Sequence, residues 1–164
     1  MPFFPFYRVA RARTGLGLFA TMPIKRGTDV LEYTGPRLSN EEAEEHERRG
    51  NRYLFEVNTR CTVDGSPRSN IARYANHSCR PNMEADVVKG RVILRAIRHI
   101  WPGDEMTYNY GRNYLNNFIP VCKCVKCREH RHGGAHRKNG KNGNGKNGHA
   151  RNGHAKNGNG KSRR

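Results

Sequence analysis

The chain has 164 residues, with 31 Lys or Arg against 14 Asp or Glu, for a formal net charge of +17. That length accommodates one domain and a tail. Such a charge favours an anionic neighbour, nucleic acid foremost, and no apolar run is long enough to cross a bilayer.

At the start, Pro2 and Pro5 interrupt Phe3, Phe4 and Phe6, with no basic segment ahead of an apolar run. No signal peptide is expected, and the reading is an intracellular, non-secreted protein with no membrane segment. Tyr7 to Arg13 predicts a first strand, followed by Gly15 and Gly17 bracketing Leu16. Those glycines suit either a hairpin turn or a backbone that approaches a ligand. Asp29 to Tyr33 predicts a second strand, which Gly35-Pro36 ends. Ser39 to Gly50 predicts a helix: Ser39 with Glu42 makes a capping box, Arg48 and Arg49 fill the last turn, and Gly50 stops it. Glu44–Arg48 and Glu45–Arg49 are the expected i,i+4 pairs. The glutamates of this helix read as a solvated face, or as an acidic flank that attracts a basic peptide.

Tyr53 to Val57 predicts a strand and Cys61 to Gly65 a short strand and turn, with Cys61 as a small buried hydrophobe. Residues 70–82, NIARYANHSCRPN, show no apolar periodicity and read as neither helix nor strand. Met83 to Val88, a turn at Lys89-Gly90 and Arg91 to Ala96 predict a hairpin. Glu105 to Tyr108 predicts a last strand. Many short strands and one helix predict a mostly β, α+β domain.

Five cysteines, an odd number with Cys122, Cys124 and Cys127 in one short segment, do not suggest a secreted disulfide scaffold. Three thiols leave a tetrahedral zinc site one ligand short, and Cys79 is the obvious fourth. His130 or His132 are alternatives. A redox C-x-x-C is the rival reading, but no thioredoxin-like βαβ pattern surrounds it. Residues 128–164 hold eleven Lys or Arg against Glu129, a net +10, leaving +7 for the rest. Lys-Asn-Gly recurs at 138, 141, 146 and 156. Such a segment buries too little apolar surface to offset its ordering entropy, so disorder is expected.

Residues 70–82 resemble the N-x-A-R-[FY]-x-N-H-S-C-x-P-N signature of SET-domain lysine methyltransferases. Gly15-Leu16-Gly17, Glu32-Tyr33-Thr34-Gly35 and the run from Gly103 to Gly111 resemble that family's other motifs, in order, across about residues 8–127. The resemblance implies short-stranded sheets, a C-terminal pseudoknot and a zinc-bound post-SET loop. It implies a SET domain over residues 1–111, a post-SET zinc segment over 112–130 and a basic tail over 131–164, with no pre-SET module. Three positions depart from the family pattern: Pro36 and Asn109 stand where acids are common, and the C-x-C-x2-C run is shorter than usual.

The resemblance also implies the chemistry. S-adenosylmethionine donates a methyl group to a lysine side chain, in a histone-like or other basic DNA-associated protein. Tyr110 is the implied catalytic tyrosine, with Tyr33 and Tyr108 beside it in a lysine channel. Thr14, Gly15, Leu16, Gly17, Tyr53, Arg73, Tyr74, Asn76, His77 and Tyr110 are the implied cofactor contacts. Cys79, Cys122, Cys124 and Cys127 are the implied zinc ligands. Such an enzyme belongs at chromatin or a nucleoid, and the basic tail would add a nucleic acid contact. The alternative is a non-catalytic basic module on the same scaffold that binds nucleic acid or lysine-rich tails.

Overall fold

A computed structural model of the protein describes residues 6–119 and 121–132, the last three by backbone alone. The composition-based tail, residues 133–164, and the first five residues lie outside them. Ten short strands and three α-helices make up the described chain.

Strands β1 (Tyr7–Ala12) and β2 (Gly15–Ala20) form an antiparallel pair. Strand β3 (Asp29–Tyr33) lies against β9 (Arg91–Ala96), which pairs on its other side with β8 (Met83–Val88). The β8–β9 hairpin turns at Lys89 and Gly90, both at positive φ (50° and 74°), as a two-residue turn of the primed kind needs. A third sheet runs in the order β4 (Arg37–Leu38), β6 (Cys61–Asp64), β5 (Leu54–Asn58). The fourth is a two-residue parallel pair, β7 (Asn76–His77) with β10 (Thr107–Tyr108).

The core follows the strand periodicity. Along β9, Val92, Leu94 and Ala96 are buried while the residues between them are more open. Leu18, Ile24, Met83, Ile100 and Met106 join them as fully buried side chains. Each contributes about 1.5–3 kcal/mol of burial.

Helix α1 (Asn40–Arg48) forms where expected, and both halves of its capping box are made. Glu45 bonds Arg49 at 2.7 Å and also pairs with Arg48, so the expected Glu44–Arg48 pair gives way to an i,i+3 contact. No α1 residue is buried, which makes it a solvated helix lying on the β4–β6 edge.

Three local expectations differ from the structure. Residues 70–82 are not wholly irregular: Ile71–Tyr74 make one 3₁₀ turn, and β7 follows it. There are two further helices, α2 (Arg112–Phe118) and α3 (Val125–His132). Both are polar and short, so their sequence carries little helical periodicity, and Cys127 sits on α3 rather than in a loop. Cys61 is only half-buried, where Arg37 reaches its sulfur at 3.4 Å.

The segment 105–110 is laced to residues 75–82. Ser78 N–H donates to Tyr108 O (3.0 Å), and Asn82 N–H to Thr107 O (3.2 Å). The Asn82 side chain closes the lattice, donating to Glu105 O and accepting from Thr107 N–H, both at 2.8 Å. Asn82 is buried and fully engaged, which explains why a polar residue tolerates that place. This is the pairing that a pseudoknot of the two segments requires.

Candidate active site

The parallel β7–β10 pair sets Asn76 and His77 beside the chain that leads to Tyr110. A cavity of about 560 Å³ opens there, within the range of small-molecule sites. Thr14, Asn76, His77 and Tyr110 line it, as do Cys122 and Cys124. Gly15, Leu16, Gly17, Tyr53, Arg73 and Tyr74 are not among its lining residues. The sequence reading did not place Glu105, Phe118, Ile119, Val121, Lys123 or Val125 in such a wall. Phe118 ends α2, Val125 begins α3, and Ile119, Val121 and Lys123 lie between these short polar helices, where the sequence gives no periodic signal.

Asn76 has a determined orientation. Its Nδ2 donates to Leu16 O (3.1 Å) and to Glu105 Oε1 (2.8 Å), which leaves Oδ1 as an acceptor for the cavity. Gly17 permits this approach, because a Cβ there would lie 2.8 Å from Glu105 Oε1 and 3.1 Å from Asn76 Nδ2. Glu105 thus places a carboxylate in the cavity wall.

His77 bridges two groups. Its Nδ1 accepts from Tyr110 N–H at 3.2 Å, and its Nε2 lies 3.2 Å from Cys79 Sγ. Burial holds its pKa below the usual histidine value, so the ring is neutral. A neutral ring that accepts at Nδ1 carries its proton on Nε2 and donates it to the sulfur.

The four thiols expected to meet do meet. Cys79 Sγ lies 3.8 Å from Cys122 Sγ and 3.6 Å from Cys127 Sγ, and Cys79 N–H donates to Cys124 Sγ at 3.4 Å. None of the five cysteines forms a disulfide. A tetrahedron with zinc–sulfur bonds of about 2.3 Å has edges of about 3.8 Å, so the sulfur spacing fits zinc. The ligand atoms of His77, Cys79, Cys122 and Cys124 also lie within 4.8 Å of one another. The protonated Nε2 argues for the four-thiol set, with His77 as a hydrogen-bond donor to it. Burial works to raise the Cys124 pKa, but backbone N–H groups of Cys79 and Cys127 outweigh it and lower the thiol to about 7. The side chains of His130 and His132 lie outside the described residues.

Behind Tyr110 stands a row of rings. Tyr108 and Tyr110 are 4.8 Å apart, Tyr110 and Tyr114 4.9 Å, and Tyr114 and Phe118 4.9 Å. Tyr110 OH donates to Ala75 O (2.9 Å), and Tyr114 OH to Arg52 O (3.1 Å). Tyr33 is buried, and its hydroxyl donates to Tyr53 O at 2.9 Å. Arg73 stacks over Tyr53 at 4.2 Å and lies 5.5 Å from the Tyr74 ring. Its Nε is buried without a partner among the described residues. Burial pushes the phenols of Tyr33, Tyr108 and Tyr110 far above the usual value, so all three remain protonated donors.

Gly65 was read only as a turn residue. A Cβ at Gly65 would fall 2.2–2.3 Å from the Cε1, Cζ and hydroxyl of Tyr33. Its missing side chain is what admits the Tyr33 ring. No sequence pattern announces such a contact, because Tyr33 ends β3 and Gly65 follows β6, a strand of a different sheet.

The sequence profile of the SET domain matches residues 15–111, more than half of the chain. The chain belongs to the SET-domain family. Its relatives include human histone-lysine N-methyltransferase 2D, 38% identical across 74% of this chain and 2% of that protein. Another is the H3 lysine-4 specific histone-lysine N-methyltransferase of Schizosaccharomyces pombe, 35% identical across 69% of this chain and 14% of that protein. Among solved structures, an active Polycomb repressive complex 2 in its basal state contains a chain 33% identical to this one. It superposes with a TM-score of 0.60 over 65% of this chain and 15% of that one. This SET domain therefore spans a small fraction of the relatives it matches. Among its described residues, no helix is long and apolar enough to cross a membrane.

Proposed function

We propose that this SET domain is a protein-lysine N-methyltransferase that uses S-adenosylmethionine and acts on a histone-like protein at chromatin. The observation that carries the reading is the place of Tyr110. It belongs both to the wall of a ligand-sized cavity and to a row of buried, protonated phenols.

The cavity suits the cofactor. Asn76 Oδ1 would be free to accept from its ammonium group, and Glu105 would supply a carboxylate for a cation. Thr14, His77 and Tyr110 complete that wall, with the Gly15–Gly17 backbone behind it. Tyr53, Arg73 and Tyr74 support it from the adjoining cluster, where Arg73 Nε is a donor still without an acceptor. When bound, S-adenosylmethionine supplies an activated methyl group and its leaving group, so the protein needs no nucleophile of its own.

The residues then orient and exclude water. Tyr110 spends its hydroxyl proton on Ala75 O, which leaves its oxygen lone pairs to hold the lysine amine. Tyr33 and Tyr108 wall the channel. A free lysine has a pKa of about 10.4, and an apolar aromatic channel lowers it. The three phenols are already protonated, so none of them serves as the base. Orientation of this kind is worth roughly 7–11 kcal/mol.

Zinc held by Cys79, Cys122, Cys124 and Cys127 would fix the 121–127 segment against the 76–79 stretch and so complete the cavity wall. We assign residues 1–111 to the SET domain and 112–130 to the post-SET segment, with the basic tail as a nucleic acid contact. The test is labelled methyl transfer to histones followed by mass spectrometry, with Tyr110→Phe as control. Methylated lysine in the wild type and not in the variant supports the reading. No transfer by zinc-loaded, cofactor-binding protein to any basic protein overturns it and leaves a non-catalytic module.

A further inference from the structure

The chain has a single tryptophan, and the methyltransferase reading gives it no task. Trp101 is 59% exposed. It lies on the face of the domain built where residues 21–27 run beside residues 98–104. Ile24 and Ile100 exchange both backbone hydrogen bonds (2.9 and 3.0 Å), and both side chains point into the core. Side chains alternate along such a pair, so Lys25 with His99 and Pro23 with Trp101 share the outward face. Every residue of 21–23, 25–27, 98–99 and 101–104 is exposed. Gly103 N–H to Ala20 O (2.9 Å) and Trp101 N–H to Asp104 Oδ2 (2.9 Å) hold the Trp101 turn in shape.

Two features of this face point to one kind of partner. The first is a pair of flat rings: the His99 ring lies 4.4 Å from the Trp101 ring, tilted at 40°, and the Trp101 side chain stays largely open to solvent. The second is charge. Lys25, Arg26 and Arg98 lie on these two segments, and Arg98 ties in the exposed Arg80 through its carbonyl at 3.0 Å. The one acid there, Asp104, is engaged in capping the Trp101 turn. An exposed flat ring among cations matches bases that stack and phosphates that neutralise. A duplex keeps its bases stacked on one another and offers the ring nothing.

We propose that the Trp101–His99 shelf binds single-stranded nucleic acid, one base stacking on the indole while Lys25, Arg26 and Arg98 meet the backbone. This holds whether or not the chain transfers methyl groups. The shelf is separate from the cavity at Tyr110, whose lining it does not share.

The test uses the full chain and the emission of its one tryptophan. A labelled oligothymidylate is titrated while its anisotropy and the indole fluorescence are recorded together. The expected result is quenching that saturates with binding. Trp101→Ala should weaken the single-strand affinity about five- to a hundred-fold, change duplex affinity less than twofold, and be rescued by Trp101→Phe. The Lys25→Glu/Arg98→Glu variant keeps the reporter and should reduce both quenching and the salt dependence of binding. Binding seen by anisotropy with no change at Trp101, or no binding at all, overturns the proposal. So does equal quenching by polyglutamate or by anionic phosphatidylserine vesicles, which would assign the shelf to an acidic peptide or a lipid surface.

Discussion

The two sides of Tyr110 are built on different plans. The cavity side is made of hydrogen-bonding and sulfur groups from two short runs, 76–79 and 122–127. The aromatic side gathers Tyr33, Tyr53, Gly65, Tyr108 and Tyr114 from separate parts of the chain; one hydroxyl bond each fixes Tyr33 and Tyr114, and Gly65 leaves room for the Tyr33 ring. A ligand site can be specified within a few residues, because ligand chemistry lives in residue type. A channel wall cannot, because its shape depends on which distant backbones approach.

The largest effect expected is on the cavity side. Cys79→Ser removes the sulfur that contacts Cys122, Cys124 and Cys127, and breaking one ligand of a four-thiol site should abolish stoichiometric zinc. Metal analysis of purified protein checks this. Wild-type zinc content in that variant would mean that His77 ligates after all and that the four-thiol set is wrong.

Tyr110→Phe cuts where the two sides meet. Loss of its hydroxyl should slow methyl transfer about a hundredfold, on the scale of a misplaced reacting group. Cofactor affinity by calorimetry should change far less. A comparable loss of affinity would place Tyr110 wholly on the cavity side.

Gly65→Ala probes the aromatic side alone. The Tyr33 ring must shift, so kcat should fall about tenfold or more, or the degree of methylation should change. Zinc content and cofactor binding should not move. Mass spectrometry of the product and a steady-state KM–kcat comparison read both. An unchanged product and rate would show that Tyr33 does not border the channel.

The smallest effect is on stability. Asp64 is buried. Burial raises its pKa, but bonds from Asn51 (2.8 Å) and Ser66 N–H (2.9 Å) and the nearby His46 outweigh it, so the net shift is downward. Its folded pKa lies below the unfolded value of about 3.9, so the stabilisation is present above that value and is lost as pH falls through the folded pKa. Tm measured from pH 7 to pH 3 should show wild type above Asp64→Asn at neutral pH, with the gap closing in acid. A constant gap would remove Asp64 as the source.

Much of the strand order was legible before the structure. The turn at Lys89-Gly90 marked the β8–β9 hairpin, and the capping box marked α1. The motif around Asn76, His77 and Cys79 identified the cavity side, since amide, imidazole and thiol in that order name their own chemistry. Helices α2 and α3 were missed because their residues are polar and their helical spacing is carried mainly by Tyr114 and Phe118.

By itself, then, the sequence determined the family and most strands of the core, and it supplied the thiol, imidazole and amide groups on which the metal and cofactor proposals rest. Those properties reside in local pattern and in what each side chain can donate, accept or bury. Only the tertiary structure decided which nitrogen of His77 faces the sulfur, how Asn76 turns its amide, and that a missing Cβ at Gly65 seats Tyr33. Each of these is a distance of a few ångströms between segments far apart in the chain, and local pattern carries no information about it.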